Sequence, residues 1–71
     1  MIIYDKLWEL LKRRSISKFR FRISTNIGGD TFDRLKKNKP VSTKTLDAIC
    51  LTLDCKLEDF AEFVKSEDEN I

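Results

Sequence analysis

A helix, a tight turn and a second helix can be read from residues 17–37, which are SKFRFRISTNIGGDTFDRLKK. Ser17 is a favourable N-cap, and Ile16 lies at the spacing from Phe21 at which two apolar residues staple the start of a helix. Asn26 tolerates the left-handed backbone conformation in which helices commonly end. These signals predict a helix that begins after Ser17, ends near Asn26 and is followed by a joint of three residues.

The second helix is predicted over about residues 29–37. Phe32 and Leu35 lie on one side of it and are expected to face the core, whereas the other side is polar. Asn38 and then Pro40 stop this helix, because proline cannot continue one. Two helices joined by such a short turn form a helix-turn-helix unit, and the polar side of its second helix is free to enter a groove.

Three more helices are predicted around this unit. One spans about residues 4–14, another begins after the N-cap Ser42, and the last spans about residues 57–64. Because no segment alternates like a strand, we expect an all-α, compact five-helix domain over residues 1–65, with 66–71 as an acidic, frayed tail. The last helix is expected to turn inward Leu57, Phe60, Phe63 and Val64. The expected core consists of Leu7, Leu11, Phe21, Phe32, Leu35, Leu46, Ile49, Leu53 and Phe60.

The composition argues against several classes of protein. A chain of 71 residues is one domain, and without His and with only two Cys it lacks the four ligands of a structural zinc site. Cys50 and Cys55 are expected to be reduced, buried thiols, with a disulfide as the alternative. Residues 1–4 are too short for a signal peptide, and no apolar run approaches the ~20 residues of a membrane span. We therefore expect a cytoplasmic protein that uses no metal, no cofactor and no small-molecule substrate.

The charges are distributed unevenly along the chain. Residues 1–40 hold eleven Lys or Arg and four Asp or Glu, a net charge of +7, whereas residues 41–71 hold three and eight, a net charge of −5. Such an asymmetry favours a first half that faces a polyanion. Two solvated faces that differ by chance are the alternative.

Residues 17–21, 26–27 and 31–39 resemble the helix-turn-helix of the Cro and phage-repressor (XRE-type) family, and residues 41–55 are similar to the fourth helix of its small bacterial members. The resemblance covers about residues 3–65. It implies a five-helix fold in which the third helix enters the major groove of double-stranded DNA while the second crosses the phosphate backbone. It also implies a sequence-specific transcriptional regulator, a repressor, that binds paired half-sites as a homodimer. The exposed surface of the last helix is a candidate dimer contact.

The resemblance implies eleven DNA-contacting positions. Phosphate contacts at the start of the second helix are expected from Ser17 and Lys18. The groove-facing positions of the third helix are Gly29, Asp30, Thr31 and Arg34. Positions near the phosphates after that helix and at the start of the fourth are Lys37, Asn38, Lys39, Thr43 and Lys44. Among these, Arg34 has a rigid fork of donors that can pair with guanine O6 and N7.

Three features depart from the family's pattern. Arg22 stands where a small residue, often Ala, is usual in the tight contact between the second and third helices, so its side chain must bend outward or the helices must separate slightly. Asn26 replaces the common turn glycine, which its tolerance of the left-handed conformation allows. Gly28 and Gly29 open the third helix where polar side chains are usual, so that this end reads no base edge.

These departures leave a second function open, a protein-interaction module of the antirepressor or antitoxin kind that has lost base reading. An enzyme is the third class to consider. Carboxylates cluster at Asp30 and Asp33 and again at residues 58–62, but no neighbouring base, nucleophile or metal-ligand set completes a site. We therefore expect no enzymatic activity.

Overall fold

The computed structural model describes residues 1–65. Its four α-helices are α1 (Asp5–Arg13), α2 (Lys18–Thr25), α3 (Gly29–Lys36) and α4 (Thr43–Leu53). A single 3-10 turn, Leu57–Asp59, follows α4. Two short strands, β1 (Ile2–Ile3) and β2 (Glu62–Phe63), pair antiparallel with Ile2 opposite Phe63 and Ile3 opposite Glu62. The predicted helix-turn-helix is present as α2, the turn 26–28 and α3.

The predicted fifth helix and the predicted absence of a sheet are wrong. The segment after α4 makes only the 3-10 turn and then extends into β2. An isolated helix of eight residues is marginal in water, and here a partner strand satisfies the backbone instead. The N–H of Val64 donates to the Met1 carbonyl oxygen at 2.8 Å. Phe63 and Leu57, which were expected to face inward, are consequently 65% and 48% exposed, whereas Phe60 is buried.

The helix ends follow the predicted capping signals. The hydroxyl of Ser17 accepts a hydrogen bond from the Arg20 N–H at 3.1 Å, and that of Ser42 accepts one from the Thr45 N–H at 3.3 Å. Asn26 ends α2 in the left-handed conformation, with φ of 56°. The Ile27 N–H then donates to the Arg22 carbonyl oxygen at 3.3 Å, which closes the turn and directs the chain into α3.

The core is built from all four helices, from Tyr4 before α1 and from Phe60, which follows the 3-10 turn. Its buried apolar residues are Tyr4, Leu7, Leu10, Leu11, Phe21, Phe32, Leu35, Ile49, Leu53 and Phe60. Eight of the nine predicted core residues are in this set, and the ninth, Leu46, is only half-buried against it. Trp8 packs edge-on against two phenylalanines, with ring centroids 6.5 Å from Phe21 and 5.8 Å from Phe32. This aromatic trio, Trp8, Phe21 and Phe32, joins α1 to the helix-turn-helix.

Two further observations concern the excluded classes. Among residues 1–65, no helix is long and apolar enough to span a bilayer, and no three potential metal ligands cluster. Cys50 and Cys55 are half-buried free thiols around the end of α4. The predicted acidic tail, residues 66–71, lies outside the described part of the chain.

Candidate nucleic-acid interface

The start of α2 presents a cap and a cation. The hydroxyl of Ser17 is engaged by the Arg20 N–H, and the residue is exposed. The Lys18 ammonium lies 5.2 Å from the centroid of the Trp8 ring, an aromatic contact that leaves its hydrogen-bond donors available. Because unpaired amides and the helix dipole also favour anions at a helix N-terminus, this end suits a phosphate.

The side of α3 that was predicted to face a groove is open to solvent at Gly29, Asp30 and Arg34, while Thr31 is half-buried. The Arg34 Nε lies 3.3 Å from Asp30 Oδ2, and the two side chains are 51% and 86% exposed. An ion pair this exposed is strongly screened by water and is easily exchanged. The pair occupies Nε, and within residues 1–65 no other carboxylate pairs with this guanidinium. Its remaining donors can therefore turn to another acceptor.

The far end of α3 carries a basic cluster, formed by Lys36, Lys37 and Lys39, all exposed. The Lys37 Nζ lies 3.0 Å from Asp33 Oδ2. The hydrogen bond from Lys37 holds the pKa of Asp33 below its ordinary value, and the charges of Lys36 and Lys39 act in the same direction. Three cations thus act together on one surface carboxylate, and the end of the helix is electropositive.

Asn38 has a structural partner that the sequence did not indicate. Its side-chain Oδ1 accepts a hydrogen bond from the Tyr4 N–H at 2.8 Å, and its own φ is 56°. It therefore ties the end of α3 to the start of α1, and only its amide nitrogen is left for a phosphate. Thr43 and Lys44 are exposed on the first turn of α4, where no hydrogen bond or ion pair within residues 1–65 joins them to the basic cluster.

Arg22 occupies the contact between α2 and α3 without forcing a helix out of the fold. Its side chain is half-buried, with Cζ 5.6 Å from the centroid of the Phe32 ring. Its Nη2 lies 3.5 Å from the point where a Cβ on Gly29 would be. A Cβ at this distance would be in ordinary van der Waals contact, so the guanidinium lies directly against the start of α3. Two departures that were separate in the sequence are therefore one arrangement in three dimensions.

The aromatic trio gathers cations that sequence reasoning did not connect. The Lys36 Nζ lies 5.2 Å from the Phe32 ring centroid, on the ring that Arg22 also approaches. Lys18 approaches Trp8, so that the start of α2, the middle of α2 and the end of α3 all meet one aromatic group. The four-residue spacings from Lys18 to Arg22 and from Phe32 to Lys36 were the available signal, since such pairs share a helix face.

Comparison with known proteins agrees with this geometry. The model of the Cro/C1-type HTH (helix-turn-helix) DNA-binding domain matches residues 6–66. The crystal structure of the transcriptional regulator VanUg (Form II) is similar, with 39% sequence identity and a TM-score of 0.83 over 86% of this chain and 81% of that chain. No match was found among the curated proteins. Since the matched range holds α2, the turn, α3 and α4, the chain belongs to the family of Cro/C1-type helix-turn-helix DNA-binding domains.

Proposed function

We propose that this protein is a transcriptional repressor that binds specific double-stranded DNA sequences in the cytoplasm, with α3 in the major groove. The observation that carries the proposal is the exposed face of α3, where Arg34 is followed by the basic cluster. An arginine can read a guanine edge, while lysines neutralise phosphates without reading sequence. Repression follows because a protein that occupies a promoter excludes other proteins from it.

The contacts divide between reading and positioning. Arg34 and Thr31 read base edges, Asp30 accepts from a cytosine amino group when Arg34 releases it, and Gly29 lets the backbone approach the groove. The proposed phosphate contacts are Ser17, Lys18, Lys37, Asn38, Lys39, Thr43 and Lys44.

We further infer that a second copy of the chain docks on an apolar surface beside the small sheet. Ile2, Leu57 and Phe63 are exposed there and line a groove of about 880 Å³. Its margins carry cations, Lys6 and Lys39, and anions, Glu58 and Glu62. A twofold axis brings the same patch of both copies together, so a patch with both signs of charge complements itself. The dimer contact expected on a fifth helix is thus proposed for the 3-10 turn and β2.

The test of DNA binding is fluorescence anisotropy with a duplex selected from a random pool and with a scrambled duplex, each at several salt concentrations. We expect tighter binding to the selected duplex and a linear fall of the logarithm of affinity with the logarithm of salt concentration. The absence of salt-dependent binding to any duplex would overturn the proposal.

The dimer surface is tested by sedimentation with a matched pair of variants. Phe63→Glu should shift the protein towards monomer and weaken binding to the full site more than to a half-site. Leu51→Glu, a change of the same kind at an exposed position of α4, should leave the oligomeric state as it is. Equal effects of the two substitutions would contradict the assignment of this surface.

A protein-interaction module remains the second candidate function because of one observation. Phe19 and Ile23 are exposed on α2 and, with Ile27, line a shallow groove of about 280 Å³ beside the turn. Exposed neighbouring apolar side chains are typical of protein-binding surfaces. Failure of the protein to bind every duplex, together with an unchanged fold, is the result that favours this function over DNA binding.

A further inference from the structure

The guanidinium of Arg22 is incompletely satisfied by the protein. Its Nε is sealed from solvent and has no hydrogen-bond partner, and within residues 1–65 no carboxylate pairs with the group. The Phe32 ring compensates in part, since its face attracts cations. Lys36 approaches the same ring, with Nζ 5.2 Å from its centroid, so two cations share one aromatic partner. Because Nε is enclosed by protein atoms, an acceptor from outside the chain would bind the Nη groups of this guanidinium.

The start of α3 lies beside this group, and the acidic side chain of its first turn, Asp30, is paired with Arg34. The N-cap is Gly28, which has no side chain to accept from the first amides, and a Cβ at that position would meet nothing within 4 Å. The first-turn amides of α3 are therefore free to bind an acceptor from outside the chain. The carboxylate of Asp30 in that turn points its charge to Arg34, with which it is paired.

The positive charges between Lys18 and Gly29 indicate which class of acceptor would bind here. Lys18 and Arg22 are four residues apart and therefore lie on one face of α2. Arg22 extends this line of positive charge from the start of α2, where a phosphate contact is proposed, to the glycine end of α3. An acceptor that fits both a guanidinium and free helix amides is an anion with several oxygens.

We propose that Arg22 is a DNA contact of this protein, and that its guanidinium and the first amides of α3 bind one phosphate of the DNA backbone. The inference rests on the proposed function. The Nη2 of Arg22 lies against Gly29 at the start of α3, where a Cβ would be in van der Waals contact with it. Arg22 thereby supplies the positive group that the side-chain-free start of α3 lacks.

The decisive variant is Arg22→Ala, which installs the residue that is usual at this position in the family. If Arg22 only fills space, this change leaves DNA binding as it is. If Arg22 holds a phosphate, affinity falls about 10- to 100-fold on specific and scrambled duplexes alike, and the salt slope decreases by about 0.9. Thermal unfolding of each variant, with binding measured well below its midpoint, separates loss of the contact from loss of the fold.

Two controls complete the design. Arg20→Ala removes the same charge from the same helix at an exposed position on another face, and should change the salt slope by less than half as much. A series of duplexes, each with one neutral methylphosphonate in place of a phosphate, should contain one position that weakens the wild-type protein but not Arg22→Ala.

The outcomes separate this inference from the proposed function. A wild type that binds DNA while Arg22→Ala binds equally well, with the same salt slope, overturns the inference alone. Equal losses for the Arg20 and Arg22 variants, or a loss confined to one base pair, overturn it as well. A wild type with no affinity for any duplex overturns the proposed function and this inference with it.

Discussion

Replacing Asn38 in three ways separates the two structural tasks of this residue. Asn38→Ala removes the acceptor for the Tyr4 N–H and places a Cβ-bearing residue without a polar side chain at φ of 56°. The lost hydrogen bond costs about 1 kcal/mol, and the left-handed conformation costs about 1–2 kcal/mol more. For so small a domain the sum corresponds to a fall in Tm of about 10–20 °C.

The two companion substitutions each retain one of these tasks. Asn38→Gly loses the acceptor but adopts positive φ freely, so its destabilisation should be about 1–2 kcal/mol, part of it from the greater freedom of the unfolded chain. Asn38→Asp keeps both the acceptor and the tolerance of this conformation, and should stay within about 1 kcal/mol of the wild type. Thermal and urea unfolding followed by circular dichroism measure all three.

The expected order of stability is therefore wild type, Asp, Gly, Ala. Equal losses for Gly and Ala would show that the left-handed conformation carries no cost, and an Asp variant as unstable as Ala would show that the acceptor is not the relevant group. Binding to DNA, measured at a temperature where every variant is folded, should fall about three- to tenfold in the Ala and Gly variants, because both lose the amide nitrogen that we propose as a donor to a phosphate. Unchanged binding by the folded Ala variant would remove Asn38 from the proposed phosphate contacts.

Three further predictions concern the core, the readout and the thiols. Phe21→Ala removes a fully buried ring that packs against Trp8 and should cost about 3–5 kcal/mol in urea unfolding, enough to unfold most of the protein. Arg34→Ala should cost about 1–3 kcal/mol on the selected duplex and little on scrambled DNA, whereas Lys37→Ala should weaken both about equally and lower the salt slope by about 1. Equal losses on both duplexes would make Arg34 a phosphate contact. Burial raises the pKa of the Cys55 thiol, so this group should react slowly with iodoacetamide at neutral pH until the chain unfolds; stoichiometric zinc, or a mass lower by two hydrogens under reducing conditions, would contradict free thiols.

Local signals were sufficient to predict the part of the fold that carries the helix-turn-helix. Ser17, Asn26 and Ser42 act through backbone groups three or four residues away, and each has the predicted role. The apolar stripes placed nearly all core residues, because burial on one helix face repeats with the helical period. Caps and helix faces depend on residues that are close together in the chain, so they can be predicted from the sequence.

The last segment could not be predicted in this way. Phe60, Phe63 and Val64 have helical spacing, but β2 exists because β1 lies beside it, and the two strands are about sixty residues apart in the chain. Pairing over that separation leaves no local trace when each strand has only two residues. The helical spacing of these apolar residues therefore predicted a helix, whereas the segment forms a 3-10 turn and a strand.

The candidate site shows the same division between local and distant information. Exposure of Arg34 and of the basic cluster follows from the polar side of α3, which the sequence predicted. The contact of Arg22 with Gly29 joins two helices, and the hydrogen bond from Tyr4 to Asn38 joins residues that are 34 apart. Nothing in the sequence next to each of these residues indicates its role, because the role depends on a contact with a residue of another element.

Five cations of the candidate interface have two kinds of partner within the protein, aromatic rings or carboxylates. The kind of partner affects how each cation would bind DNA. Lys18, Arg22 and Lys36 lie against aromatic rings and have no carboxylate partner within residues 1–65, whereas Arg34 and Lys37 are paired with carboxylates of their own helix. In the proposed function, a cation held by a ring can donate to a phosphate without losing an ion pair, so the first group would bind the backbone of any duplex. A pair at i and i+4 contributes about 0.3–0.5 kcal/mol, and Arg34 gives it up only where the new acceptor is better than Asp30. Against a well-placed guanine the exchange is favourable, and against other bases the exposed ion pair persists. The intrahelical pair thus lowers the affinity for a matched site slightly, and in the proposed function the ring-held cations would keep the protein on DNA during the search for that site.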